Sequence, residues 1–269
     1  NLYFKAYADA IKVIGTAAKG KGPRLSPGIS VKLSALEPRY ETSHYQHVMQ
    51  TLPVKLKQLC LLAKFYDIGL TVDAEESERL EISLDIIENV FTDPELSGWT
   101  GFGIAVQAYQ KRALFVIDWL RQLTIKTRRK MMVRLVKGAY WDSEIKQAQK
   151  DALKHYPVFT RKSSTDVSYH ACANRLLDYR DTIYPQFATH NAYTASVIIE
   201  LAGDDKQGFE FQCLHGMGDG LYNQIVEELG IQCRVYAPVG GHEGLLAYLV
   251  RRLLENGANS SFVNAITIP

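Results

Sequence analysis

No apolar stretch in the 269-residue sequence approaches the ~18 residues that a membrane-spanning helix needs, and no charged-then-apolar leader opens it. The expectation is a soluble chain, at most peripheral to a membrane. Cysteine is scarce: Cys60, Cys172, Cys213 and Cys233 form no CxxC pair and fall into no metal-ligand spacing with the histidines. A reduced, cytoplasmic setting without a metal site is therefore expected. Charge of neither sign dominates, since 31 Lys and Arg against 29 Asp and Glu leave a formal net charge of +2. That balance argues against bulk attraction to nucleic acid or to an acidic membrane. The one basic run, KTRRK at 126–130, reads as the solvated end of a helix. Low-complexity segments and internal repeats are also missing.

What the chain does have is enough apolar residue, 46% of the total, to bury one large core. Its length suits a single α/β barrel domain spanning residues 1–269. Short apolar runs alternate with longer stretches of 3.6-residue period, the pattern of βα units around a parallel sheet. Eight runs read as strands: 28–33, 70–74, 103–108, 132–136, 158–160, 187–190, 209–213 and 234–238. Helices are expected at 3–19, 47–66, 77–90, 111–126, 142–155, 166–179, 192–201, 221–229 and 243–256. A (βα)8 barrel follows, with a doubly wound open sheet as the alternative.

Polar side chains interrupt or end these apolar runs: Lys32, Asp73, Gln107, Arg134, His190, Gln212, His215 and Tyr236. Any one of them is explained by a structural hydrogen bond. Together they would converge on the C-terminal rim of a barrel, where barrel enzymes keep their active sites. Lys32, Asp73 and Arg134 suit one buried ion network, because a charge is buried cheaply only when it is paired. On the last helix, Tyr248, Arg251, Arg252 and Glu255 share a face. Two adjacent guanidinium forks suit bidentate capture of a carboxylate, although an exposed Arg251–Glu255 ion pair explains them equally well. Gly138 and the pair Gly240 and Gly241 let backbone approach a ligand closely. The GMGDG stretch at 216–220 has the spacing of a turn rather than of a phosphate loop.

The segments GISVKLSAL, VDAEE, RLVKGAYWDSEIK, PQFATHN, FQCLHGMG and APVGGHEGLLAYLVRRLLENGANSSFVN, between Gly28 and Asn264, resemble the proline dehydrogenase barrel of bacterial proline utilization A flavoenzymes. The resemblance implies a distorted (βα)8 barrel with its final helix over the active site. The implied reaction is FAD-dependent oxidation of L-proline to Δ1-pyrroline-5-carboxylate, with electrons passed to a membrane quinone. Arg251 and Arg252 would then hold the substrate carboxylate with Lys32, and Asp73, Arg134 and Lys32 would form the catalytic cationic network. Leu135, Tyr140, Tyr236 and Tyr248 would wall the pocket around the pyrrolidine ring. On the cofactor side the resemblance implies Ala74, Gln107, Arg134, Lys137, Gly138, Ala139, Thr189, His190, Gln212 and Cys213. Trp141 would pack on the adenine and Glu255 would hold a ribityl hydroxyl.

The aldehyde dehydrogenase half and the helical arm of the longer members do not occur within these 269 residues. An aldehyde dehydrogenase domain is therefore expected in a parent protein. Two rivals follow from the residues themselves. One is a Schiff-base barrel using Lys32 or Lys137; the other is a flavin-free carboxylate sensor built on the paired arginines.

Overall fold

In the computed structural model of the chain, residues 2–239, Leu246 and Val250 are described. The expected helix at 243–256, with Tyr248, Arg251, Arg252 and Glu255, lies outside the described residues, as do Gly240 and Gly241. Helix α1 (Leu2–Ala18) leads into β1 (Ile29–Val31), a single turn α2 (Leu33–Leu36) and the long α3 (Tyr45–Phe65). Units β2 (Leu70–Val72) with α4 (Leu80–Phe91), β3 (Phe102–Gln107) with α5 (Ala113–Thr127), and β4 (Met131–Val136) with α6 (Trp141–Lys150) and α7 (Lys162–Asp178) follow. The chain continues through β5 (Ile183–Ala188), α8 (Ala192–Leu201), β6 (Glu210–Leu214), α9 (Asp219–Leu229) and β7 (Cys233–Tyr236). No helix among the described residues is long and apolar enough to cross a membrane.

All seven strands are parallel and lie in sequence order, β1 to β7. A doubly wound sheet needs a point where strand order reverses, so this order excludes it. The sheet is strongly curled. Five strand spacings separate β2 from β7, and at ~4.8 Å each a flat sheet would hold them about 24 Å apart. Yet the Tyr236 hydroxyl on β7 lies 3.5 Å from the carboxylate of Asp73, the residue after β2. Arg234 on β7 likewise donates to the carbonyls of Ser26 and, at 2.9 Å, Arg24, on the segment entering β1.

The expected strand at 158–160 is not part of this sheet. Val158 makes an isolated antiparallel bridge with Gln110, flanked by Lys111 N–H to Pro157 O at 3.0 Å and Phe159 N–H to Tyr109 O at 2.8 Å. The reason is competition: β4 and β5 share five register pairs, which leaves no edge for a three-residue run flanked by Pro157. The described residues therefore form seven strands, and the run expected at 187–190 is displaced toward the N-terminus, with β5 starting at Ile183 and ending at Ala188. The expected helix at 142–155 also stops early, at Lys150, because Ala152 turns into the left-handed region (φ 50°) and Pro157 follows.

A strand's side chains alternate between its two faces, and here the two faces differ in chemistry. The outer face carries Val31, Val72, Ile104, Val133, Leu135, Phe187 and Phe211, all buried in one core with the helices. The inner face carries Lys32, Asp73, Gln107, Arg134, Gln186, Glu210, Gln212 and Arg234, and all of these but Lys32 and Gln107 are linked to one another by hydrogen bonds across the curl. The helices thus bury the apolar side of the sheet and leave a polar interior that opens at the strand ends.

Phe187 is central to the outer layer, with its ring 5.7 Å from that of Phe209 and 6.2 Å from that of Phe211. Phe187→Ala is expected to cost ~3–5 kcal/mol of stability, read as a lower urea midpoint at unchanged slope. Phe115→Ala, at a position 74% exposed, is expected to stay within about 0.5 kcal/mol of the unaltered chain.

Candidate active site

The C-terminal ends of β1 to β7 bring the polar inner-face residues to one rim. Arg134, on β4 and 9% exposed, is its centre. Its Nη1 donates to Asp73 Oδ1 at 2.8 Å and its Nε donates to Gln212 Oε1 at 2.7 Å. Its guanidinium carbon sits 5.2 Å from the Tyr236 ring centroid. Asp73 is fixed in turn by its backbone N–H, which donates to Val31 O at 2.9 Å. Groups from β1, β2, β6 and β7 thereby position one cation.

Lys32, at the end of β1, donates to the Tyr140 hydroxyl at 2.7 Å, and its backbone N–H donates to the Tyr7 hydroxyl of α1 at 3.1 Å. Burial pushes this ammonium's pKa down, but the Tyr140 hydroxyl and the charges of Asp73 and Glu75 outweigh that effect and leave it above the ordinary lysine value. A pKa raised on folding means that the cation stabilises the fold fully below the ordinary lysine range. That contribution is lost only as pH rises past it.

The turn after β4 is held from beneath. Gly138 sits at φ 137°, and a Cβ placed there would meet the Tyr109 ring at 2.5 Å, so both conformation and space require glycine. Tyr109 donates to Glu144 Oε1 at 3.3 Å, and Glu144 also accepts from Ser77 N–H at 2.7 Å and Ser77 Oγ–H at 2.5 Å. Lys137 beside this turn is ion-paired to Asp166. Gln107 donates to Glu75 O at 2.8 Å and accepts, at 3.4 Å, from Ala139 N–H.

Comparison with known proteins supplies the family. The family model described as proline dehydrogenase matches residues 1–265. The chain belongs to the proline dehydrogenase family. It is 59% identical to the bifunctional protein PutA of Klebsiella aerogenes over 98% of this chain and 21% of that protein. It is 30% identical to proline dehydrogenase 1 of Bacillus subtilis, over 77% of this chain and 61% of that one. A solved structure of proline utilization A from Bradyrhizobium japonicum superposes with a TM-score of 0.93 at 58% identity, over 97% of this chain and 27% of that one. The chain thus spans about a fifth of the length of the PutA proteins it matches.

Within this curled sheet of a proline dehydrogenase family member, Lys32, Asp73, Gln107, Arg134, Tyr140, Gln212 and Tyr236 are brought to one rim. Ala74 follows Asp73 there, and Lys137, Gly138 and Ala139 form the half-buried turn above β4. Thr189 and His190 end β5, where His190 Nε2 accepts from Leu214 N–H at 2.9 Å and Thr189 O accepts from the Tyr222 hydroxyl. Trp141 stands at the edge, 43% exposed, with its indole N–H on Phe159 O at 2.9 Å.

Leu135 and Cys213 are not brought to this cluster. Each follows an inner-face residue, Arg134 or Gln212, so the period of two turns it to the helix side. There Leu135 is part of the core and the Cys213 sulfur lies 3.7 Å from that of Cys233. The same period places Leu214 on the Gln212 face, partly exposed at the rim. Sequence reasoning also missed Glu210, Arg234 and Gln186. The alternation Glu210, Gln212, Leu214 carried the signal, but it was masked by Phe211 and Cys213 in an unbroken buried run.

Lys32, its pKa raised, is the reverse of the desolvated, low-pKa lysine that Schiff-base chemistry needs, and the Lys137 ammonium is ion-paired to Asp166. Reductive alkylation with an aldehyde and borohydride at about neutral pH is expected to label Lys32 more slowly than the surface lysines. Labelling of Lys32 first would contradict the assignment.

Proposed function

We propose that this chain oxidises L-proline to Δ1-pyrroline-5-carboxylate with FAD as the hydride acceptor. The observation that carries the reading is Arg134: a buried guanidinium held by Asp73 and Gln212 at the rim of a proline dehydrogenase barrel. The donor set fits a flavin. A cation and two carboxamides, Gln107 and Gln212, suit a ring that becomes more negative on reduction, and the exposed Trp141 face suits an adenine. Ala74, Gln107, Arg134, Gln212 and the turn Lys137, Gly138 and Ala139 would hold the cofactor with Thr189 and His190. Trp141 would pack on the adenine, and Glu255, outside the described residues, would bind a ribityl hydroxyl. When bound, FAD supplies the two-electron acceptor for the hydride that leaves the ring carbon beside the amine.

The chain's own residues bind, orient and exclude water. Lys32, charged at all ordinary pH, pairs with the substrate carboxylate together with Arg251 and Arg252. Tyr140 fixes the Lys32 ammonium through its hydroxyl and so fixes where the carboxylate lies. Tyr236 and Leu214, with Tyr248, form the wall beside the pyrrolidine ring and keep water from the hydride path. Arg134 stabilises the negative charge that develops opposite the substrate, while Asp73 keeps that guanidinium oriented. A second carboxylate near the substrate would repel proline's own, and the pairing of Asp73 with Arg134 offsets this.

In the parent protein the electrons pass to a quinone, which brings a cytoplasmic enzyme into peripheral contact with the inner membrane. An aldehyde dehydrogenase domain would occupy part of the remaining length that the bifunctional relatives possess. Nucleic acid is not a partner of this domain.

The test is proline-dependent reduction of an artificial electron acceptor by the FAD-supplemented chain. Arg251→Ala and Arg252→Ala are each expected to raise the proline KM about 30-fold or more, equivalent to ~2 kcal/mol for a lost charge-assisted contact. Saturation kinetics unchanged in both variants would remove the carboxylate assignment. A chain that binds proline analogues yet reduces no acceptor would favour the flavin-free sensor instead.

A further inference from the structure

Beneath the rim, Glu210 and Arg234 play no part in the reaction described above, yet each is held by several hydrogen bonds. Glu210, 1% exposed, accepts from Arg234 Nε at 2.7 Å on one carboxylate oxygen and from Arg234 Nη2 at 2.9 Å on the other, a bidentate pairing. Its Oε1 also accepts from Gln186 Nε2 at 2.9 Å and from Gln212 Nε2 at 2.8 Å.

The contact with Gln212 has a directional consequence. A carboxamide has one end that donates and one that accepts, and its neighbours decide which way it faces. The Glu210 carboxylate only accepts, so it draws the Gln212 NH2 end toward itself and turns Oε1 to Arg134 Nε, 2.7 Å away. The reversed amide would set a carbonyl against a carboxylate and an NH2 group against a guanidinium. With Asp73 on Nη1, two of the three Arg134 nitrogens are then locked.

We infer that Glu210 is a positioning residue: by fixing the Gln212 amide it sets the orientation of the Arg134 guanidinium toward the hydride acceptor. This rests on the flavin reading. Arg234 completes the device, because its remaining N–H groups donate to the backbone carbonyls of Ser26 and Arg24 ahead of β1 and anchor Glu210 to the seam where the sheet edges meet.

The test uses the full chain with Glu210→Gln, and with the double variant Glu210→Gln and Arg234→Met. The double variant leaves no unpaired cation buried, so it folds even if the single variant does not. Without flavin, the Arg134 Nε–H resonance is followed by 15N NMR. It is expected to be sharp and slowly exchanging in the unaltered chain, and broadened or fast-exchanging in either variant. With FAD, the preference for the reduced over the oxidised flavin is expected to fall about tenfold, a two-electron potential more negative by ~30 mV. The kcat is expected to fall about tenfold, with proline KM changed less than about twofold. A folded variant with the native Arg134 resonance and native potential, even one with a lower melting temperature, would show that Glu210 merely pins three strands and would overturn the inference. A chain that takes up no FAD would sink the flavin reading and this inference with it, whereas FAD uptake at native potential in the variants overturns this inference alone.

Discussion

Arg134 carries a full charge into a barrel interior where it is 9% exposed, and a cation so placed is tolerated only when oriented partners replace the water it has lost. Much of the interior follows from that requirement. Asp73 supplies the opposing charge and Gln212 the second acceptor. Gln212 in turn needs an acceptor for its own NH2 group, which Glu210 provides, and Glu210 needs a counter-cation, which is Arg234. The chain of dependence ends on the backbone carbonyls of Ser26 and Arg24. One continuous line of hydrogen bonds thus ties β2, β4, β6 and β7 to the entrance of β1, so the partners that hold the cation also hold the curl.

That arrangement separates stability from chemistry. The outer face of the sheet, with Leu135, Phe187 and Phe211, is apolar and packs under the helices. The inner face is polar, and most of its polar groups, from Glu210 and Arg234 up to Asp73 and Arg134, are paired with one another. At the rim the matching reaches groups that a bound molecule can use: the Arg134 guanidinium, the Lys32 ammonium fixed by Tyr140, and the half-buried turn that Gly138 makes over Tyr109. A site of fixed cations with little freedom to reorganise suits a reaction whose demand on the protein is to hold an anion-forming acceptor and a carboxylate substrate in register.

Much of this was legible in the sequence, for identifiable reasons. Lys32, Asp73, Gln107, Arg134 and Gln212 break otherwise apolar runs, and a polar residue in a strand buried on both faces has few places to go but the interior. The helix at 192–201 was legible to the residue because Asn191 caps it, accepting from Thr194 N–H at 3.0 Å. Two kinds of residue were not legible. The strand at 158–160 had the composition of a strand, but register competition between β4 and β5, which depends on the whole sheet, excluded it. Leu135 and Cys213 were drawn into the site by adjacency to Arg134 and Gln212, although strand alternation turns neighbours to opposite faces. Applying the period of two within FEFQCL would have exchanged Cys213 for Leu214 and added Glu210.

On the reading proposed above, this chain by itself holds a flavin that proline reduces. The most direct measurement is the visible absorption spectrum of the purified chain with FAD, recorded without oxygen before and after addition of L-proline and with no other electron acceptor present. Oxidised-flavin bands that bleach on addition of proline and return when air is admitted are the expected result. Flavin bands that remain unchanged by proline, or a chain that stays colourless after incubation with FAD, would contradict it.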